Sequence, residues 1–130
     1  MTRILLDTSA YSAFMRGDSN IKSAIQTAEE IYLNPVILGE LISGFMMGKH
    51  ERKNRQELQE LLASPRVGML PLDEETSERY AVILCDLRGK GTPVPTNDIW
   101  IAASAMQYGL KLLTRDSHYE KISQIIVETL

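Results

Sequence analysis

Three aliphatic residues that run straight into a carboxylate and two hydroxyls, Arg3-Ile4-Leu5-Leu6-Asp7-Thr8-Ser9, constrain this chain more than any other stretch. A short apolar run closed by polar residues reads as a buried strand, with Asp7 at its carboxyl end. In open α/β sheets ligands bind at that end of the strands. Asp7 thus stands where chemistry is expected, and the question becomes which other acids the fold can bring to it.

The rest of the pattern predicts a sheet covered by helices. Ala10 to Arg16 has helical spacing and stops at Gly17-Asp18, and Ser19 or Asn20 caps a second helix through Glu30. Ile31-Tyr32-Leu33 is a short strand, and Pro35 opens a helix over Val36 to Met47. A polar helix from Lys49 to Ala63, a strand from Val67 to Leu72 interrupted by Pro71, and a helix from Asp73 to about Leu87 follow. Thr96-Asn97-Asp98 caps an apolar helix, Ile99 to Tyr108, that stops at Gly109. Lys111 to Thr114 is a strand, Ser117 to Ile122 a turn, and Gln124 to Val127 the last strand. This order predicts an α/β fold, a central parallel β-sheet of four to five strands flanked by helices in three layers. At 130 residues, 44% hydrophobic and 24% charged, one core accounts for the whole chain as a single domain, 1–130.

Composition narrows the class. No signal sequence opens the chain and no apolar run is long enough to span a bilayer, so a soluble, cytoplasmic protein with no membrane partner is expected. The one cysteine, Cys85, excludes an internal disulfide and a cysteine zinc cage, and its apolar helical surroundings predict a packed thiol. A net charge of -3 offers no basic field for a polyanion. Carboxylates that hold divalent cations would nevertheless present a positive site when loaded.

Glu40 is the only charged residue between Ile31 and Gly48. A carboxylate among Val36, Ile37, Leu38, Leu41, Ile42 and Phe45 either has a partner or escapes to solvent, because burying it alone is costly. Gly44 and Gly48, in G-x-x-x-G spacing, predict close helix packing and at most a subunit contact. Lys49, His50, Arg52, Lys53 and Arg55 form either an RNA-facing patch or, as is commoner, a solvated face. Asp73, Glu74 and Glu75 are explained as helix starters. Arg88-Gly89-Lys90-Gly91-Thr92-Pro93 fails as a phosphate loop, since no strand precedes it and no Gly-Lys runs directly into Ser or Thr.

Four acids stand out by position: Asp7 after the first strand, Glu40 in an apolar helix, Asp98 in a first helical turn and Asp116 after a late strand. Gathered together they would repel, at about 3 kcal/mol for each pair ~5 Å apart in an effective dielectric of ~20. Such a cluster needs cations. Oxygen donors without paired His or Cys favour Mg2+ or Mn2+ over zinc, and that chemistry suits attack on a phosphodiester.

At these residues the sequence resembles the PIN-domain family, and within it the VapC-type toxin ribonucleases of toxin-antitoxin pairs. The resemblance runs through Leu6-Asp7-Thr8-Ser9-Ala10, Leu38-Gly39-Glu40-Leu41, Asn97-Asp98-Ile99-Trp100-Ile101-Ala102-Ala103 and Leu113-Thr114-Arg115-Asp116-Ser117-His118-Tyr119. It implies a PIN-like three-layer sandwich, an Mg2+- or Mn2+-dependent endoribonuclease acting on tRNA or other structured RNA, a homodimer, and neutralisation by a VapB-type antitoxin. By position, Asp7, Glu40, Asp98 and Asp116 match the catalytic metal-site acids, and Thr8, Ser9 and Thr114 match supporting hydroxyls. His118 matches a frequent residue of the motif and reads as a capping or packing residue, since the sequence shows no partner for it.

Other readings fail on particular residues. A phosphatase of the haloacid dehalogenase type needs a second aspartate where this chain has Ser9, and a receiver domain wants a lysine where Arg115 and Asp116 stand. The non-enzymatic alternative is a PIN-like domain that only binds a partner or RNA, and retention of all four acids argues against it.

Overall fold

The computed structural model describes residues 2–130. Five strands, β1 (Arg3–Leu6), β2 (Glu30–Leu33), β3 (Val67–Met69), β4 (Lys111–Thr114) and β5 (Ile126–Thr129), form one wholly parallel sheet in the order β3-β2-β1-β4-β5. The chain therefore builds outward from β1 to β3, then crosses back to lay β4 on the other side of β1. That reversal makes the β1/β4 boundary the switch point of the sheet, where the loops leaving the two strands diverge and open a crevice.

The central strands are apolar on both faces. Ile4, Leu5 and Leu6 are buried in succession, as are Leu112, Leu113 and Thr114, which requires cover above and below the sheet. Helices α1 (Thr8–Met15), α2 (Ser19–Thr27), α3 (Pro35–Met47), α4 (Glu51–Leu62), α5 (Glu74–Gly89) and α6 (Thr96–Tyr108), with a 3-10 turn over Ser117–Lys121, supply it. Each fully buried Leu contributes about 1.5–3 kcal/mol, so the strand ends carrying Asp7 and Thr114 stand on a stiff platform.

Helix α6 is buried along most of its length: Ile99, Ile101, Ala102, Ala103, Ser104 and Ala105 are all enclosed. It packs on β4, α3 and α5. Asn34, wholly buried, caps α3 by accepting from the Ile37 amide at 3.0 Å and donates to Ser104 Oγ of α6 at 2.9 Å. This satisfied polar pair ties together the two helices that carry Glu40 and Asp98.

Several boundaries differ from the sequence reading, each for a local reason. Asp18, not Ser19 or Asn20, caps α2, accepting from the Ile21 amide at 3.0 Å, and that helix ends at Thr27. Helix α4 starts at Glu51, after an N-cap His50 that makes no side-chain capping bond. Strand β3 stops at Met69, short of Pro71, which has no N–H to extend the ladder. The last strand lies two residues later than expected because Ile126 pairs with Lys111. Helix α6 begins at Thr96 behind Pro95, without a side-chain cap, so Thr96-Asn97-Asp98 is its first turn rather than its cap.

Two expectations are overturned. Cys85 is exposed, because its helix turns Ile83 and Leu87 inward instead. A Cβ added at Gly44 would meet nothing within 4 Å, so the G-x-x-x-G spacing does not mark close packing within this chain. Among the described residues no helix is long and apolar enough to cross a membrane.

Candidate active site

Asp7 follows β1 and serves as the N-cap of α1, its extended backbone letting Oδ1 accept from the Ala10 amide at 2.8 Å. Because Leu6 lies opposite Leu113, the next residue of β4 falls beside it, and Thr114 Oγ1 donates to Asp7 Oδ2 at 2.6 Å. Ser9 Oγ stands 2.9 and 3.0 Å from the two carboxylate oxygens and 3.2 Å from Thr114 Oγ1. One amide and two hydroxyls thus serve a group with about four acceptor sites, leaving capacity for a further ligand. Asp7 is only 3% exposed, and burial raises its carboxyl above the ordinary 3.8. The bonds from Thr114, Ala10 and Ser9 pull it back down, while the charge on Asp116 pushes it up again.

Glu40 has partners. Thr8 Oγ1 donates to its Oε1 at 2.6 Å and Asn97 Nδ2 to its Oε2 at 3.3 Å, so residues from α1 and α6 hold a carboxylate from α3. Of the expected supporting hydroxyls, Thr8 therefore serves Glu40. Asp98, in the first turn of α6, accepts from the Tyr119 hydroxyl at 3.2 Å. Its carboxyl is also raised, by burial first, then by the charge of Asp116; Glu40 adds to the rise, while Tyr119 and His118 oppose it.

Asp116 begins the 3-10 turn after β4. Its Oδ1 accepts the His118 amide at 2.9 Å, and its own amide donates to Thr114 Oγ1 at 2.9 Å. Tyr119 is buried, and burial together with the charges of Asp7, Asp98 and Glu40 pushes its hydroxyl far above the ordinary value. It stays protonated and serves as a donor. Arg115 leaves the same loop, gives its amide to Ser9 Oγ at 3.0 Å, and pairs its guanidinium with Asp18.

Asp98 and Asp116 lie together with His118, and Asp7 and Glu40 stand near enough to be felt by them. Asp116 acts electrostatically on both Asp7 and Asp98, and Glu40 acts on Asp98, so the charges form one connected set. Carboxylate oxygens brought to the end of a buried sheet are the type of donor that a hard divalent cation takes. The arrangement also corrects the reading of His118, which faces two carboxylates: its Nδ1 lies 3.1 Å from Asp116 Oδ1 and 3.6 Å from Asp98 Oδ2. Asn97 and Tyr119 were not foreseen as site residues. Asn97 is adjacent to Asp98 in sequence, a signal that could have found it, whereas nothing local indicates that the Tyr119 hydroxyl reaches α6.

A groove of about 330 Å3 lies between α1, α3 and α4, lined in part by Tyr11, Arg16, Phe45, Lys53 and Glu57. Of the expected basic patch, Lys53 faces this groove, while Arg55 pairs with Glu51 at 2.9 Å on the helix surface.

The sequence matches the PIN domain family over residues 4–125. It is 34% identical over 95 residues to ribonuclease VapC4 of Mycobacterium tuberculosis, covering 73% of each chain. It is 30% identical over 128 residues to ribonuclease VapC of Rickettsia bellii, covering 97% of this chain and 95% of that one. The fold superposes on a chain of VapBC2 from Rickettsia felis, solved bound to a DNA fragment from its promoter, with a TM-score of 0.87, 20% identity and 99% coverage of both chains. With a five-stranded parallel sheet, helices on both faces and this extent of match, the chain belongs to the PIN-domain family, among its VapC-type members.

Proposed function

We propose that this protein is a VapC-type toxin, an endoribonuclease that hydrolyses phosphodiester bonds in tRNA or other structured RNA at Asp7, Glu40, Asp98 and Asp116. The observation that carries this reading is the electrostatic connection of four acids drawn from four separate parts of the chain. Among the described residues no Lys or Arg is paired with any of the four, and only His118 faces two of them.

Each side chain has a part. Ser9, Thr114 and the Ala10 amide hold Asp7 in one orientation with acceptor capacity to spare. Thr8 and Asn97 hold Glu40, and Tyr119 holds Asp98. These four acids would hold Mg2+ or Mn2+, which when bound supplies Lewis acidity to polarise the phosphodiester and offset charge building on its oxygens. Burial and the charges of Asp116 and Glu40 raise the Asp98 carboxyl, and a bound cation would oppose that rise. Arg16 and Lys53 in the groove between α1, α3 and α4 offer phosphate contacts. Selection of the RNA then rests on groove shape and loop contacts, as is usual for RNA recognition.

The ribonuclease names of the sequence relatives support this activity, and likeness to VapBC structures supports a VapB-type antitoxin as partner and inhibitor. A homodimer follows from the same resemblance. Incubation of purified protein with tRNA and Mn2+ should produce fragments with 5′-phosphate and 3′-hydroxyl ends, and Asp7→Asn should cut at least 100-fold more slowly, the loss of about 2.7 kcal/mol of transition-state stabilisation. Equal cutting by both proteins would remove the proposed site.

A further inference from the structure

The 3-10 turn after β4 does more than carry Asp116. It aims an aromatic nitrogen at the acids: one donor atom each from Asp98, Asp116 and His118 lies within 4.8 Å of the other two. Helix and turn starts account for the two aspartates, but neither accounts for an imidazole turned toward both. Ligands sharing one small divalent ion at about 2.1 Å sit roughly 3.0–3.4 Å apart. The Nδ1 separations of 3.1 and 3.6 Å are close to that spacing. Tyr119 fixes Asp98 through its Oδ1, which leaves Oδ2, the oxygen nearer His118, free to turn to an ion.

A nitrogen donor changes the character of the site. Carboxylates and water suit Mg2+ and Mn2+ alike, but an imidazole nitrogen is accepted more readily by first-row transition ions than by Mg2+, and Mn2+ is the one of them that also suits the oxygen-rich remainder. We infer that His118 Nδ1 is a direct ligand in this centre, making it a mixed nitrogen-oxygen site that selects Mn2+ over Mg2+. The inference rests on the proposed cation site among the acids and goes beyond it in naming a ligand and an ion preference. An imidazole that ligates through Nδ1 is neutral and keeps its proton on Nε2.

The test is Mn2+ binding to the purified full chain, followed by electron paramagnetic resonance with RNA absent. Wild type should show nitrogen hyperfine coupling from a bound imidazole. His118→Ala and His118→Gln should lose that coupling and weaken Mn2+ about tenfold, while Mg2+ affinity, read by competition, changes much less. The side chain is 47% exposed, so neither variant disturbs the core, and unchanged melting temperatures would verify this. Mn2+ bound without nitrogen coupling in wild type, yet lost in Asp98→Asn, would overturn the role of His118 and leave the cation site standing. No Mn2+ binding at all would overturn both.

Discussion

Thr114 Oγ1 donates to Asp7 Oδ2 at 2.6 Å, joining residues 107 positions apart in the sequence across the boundary between β1 and β4. The donor is fully buried and the acceptor nearly so, which makes the bond hard to replace with water. Thr114→Val keeps the shape and removes the hydroxyl. It should cost about 1–3 kcal/mol, because a buried carboxylate loses a donor, and should slow RNA cleavage. Thr114→Ser should restore most of both. Urea denaturation beside a cleavage assay reads the two effects, and full stability in the Val variant would show that this bond is unimportant to the fold.

Asp98 predicts a pH dependence of definite sign. Its folded-state carboxyl titrates above the ordinary 3.8, so the folded protein binds this proton more tightly than the unfolded chain does. Its contribution is therefore most favourable below 3.8 and is lost as pH rises through the folded value. Asp98→Asn lacks the ion. In EDTA its melting temperature relative to wild type should climb as pH rises from below 3.8 toward neutrality. Asp7, raised in the same direction, is present in both proteins and cancels from the difference. A difference independent of pH would contradict the account.

Divalent cations should act in the opposite sense, since they bind the gathered carboxylates of the folded chain and not the dispersed ones of the unfolded chain. At an ion concentration 100 times the dissociation constant the gain is about 2.7 kcal/mol. Thermal melts with and without millimolar Mg2+ should separate for wild type and coincide for an Asp7→Asn/Asp98→Asn double variant.

Tyr119→Phe removes the hydroxyl that donates to Asp98 Oδ1 at 3.2 Å. Without that donor the carboxyl should hold its proton to still higher pH, since the bond opposes the rise caused by burial and by Asp116. The acid limb of the cleavage profile should move to higher pH, with about 1 kcal/mol lost in stability. An unmoved limb would mean that Tyr119 serves packing alone.

Gly109 ends α6 with φ 62°, the left-handed conformation that side chains resist. Gly109→Ala should destabilise the protein by about 1–2 kcal/mol through backbone strain, because an added Cβ would meet nothing within 4 Å. Chemical denaturation measures it directly.

Much of this architecture was readable in the residues. The buried run Ile4-Leu5-Leu6 and the stop at Gly109 each carry a local signature, of hydrophobic pattern and of glycine at a helix end, and both lie where expected. The lone charge at Glu40 announced a partner. Its identity was hidden, because Thr8 and Asn97 come from two other helices whose approach is set by packing. Cys85 was misplaced because an apolar helical pattern tells which residues can be buried and leaves open which ones the neighbouring α6 covers. His118 escaped for a related reason: its meeting with Asp98 depends on how β4 delivers a turn beside α6, a long-range event with no local marker.

The crossing back from β3 to β4 also sets a timetable. A ribosome delivers Asp7 almost at once, yet the hydroxyl of Thr114, the acid of Asp116 and the phenol of Tyr119 emerge only after more than a hundred further residues have been joined. Until then the β1 carboxylate has only its own loop, Ser9 and Ala10, for partners, and the site is incomplete. A growing chain of this design completes the proposed site only late in synthesis.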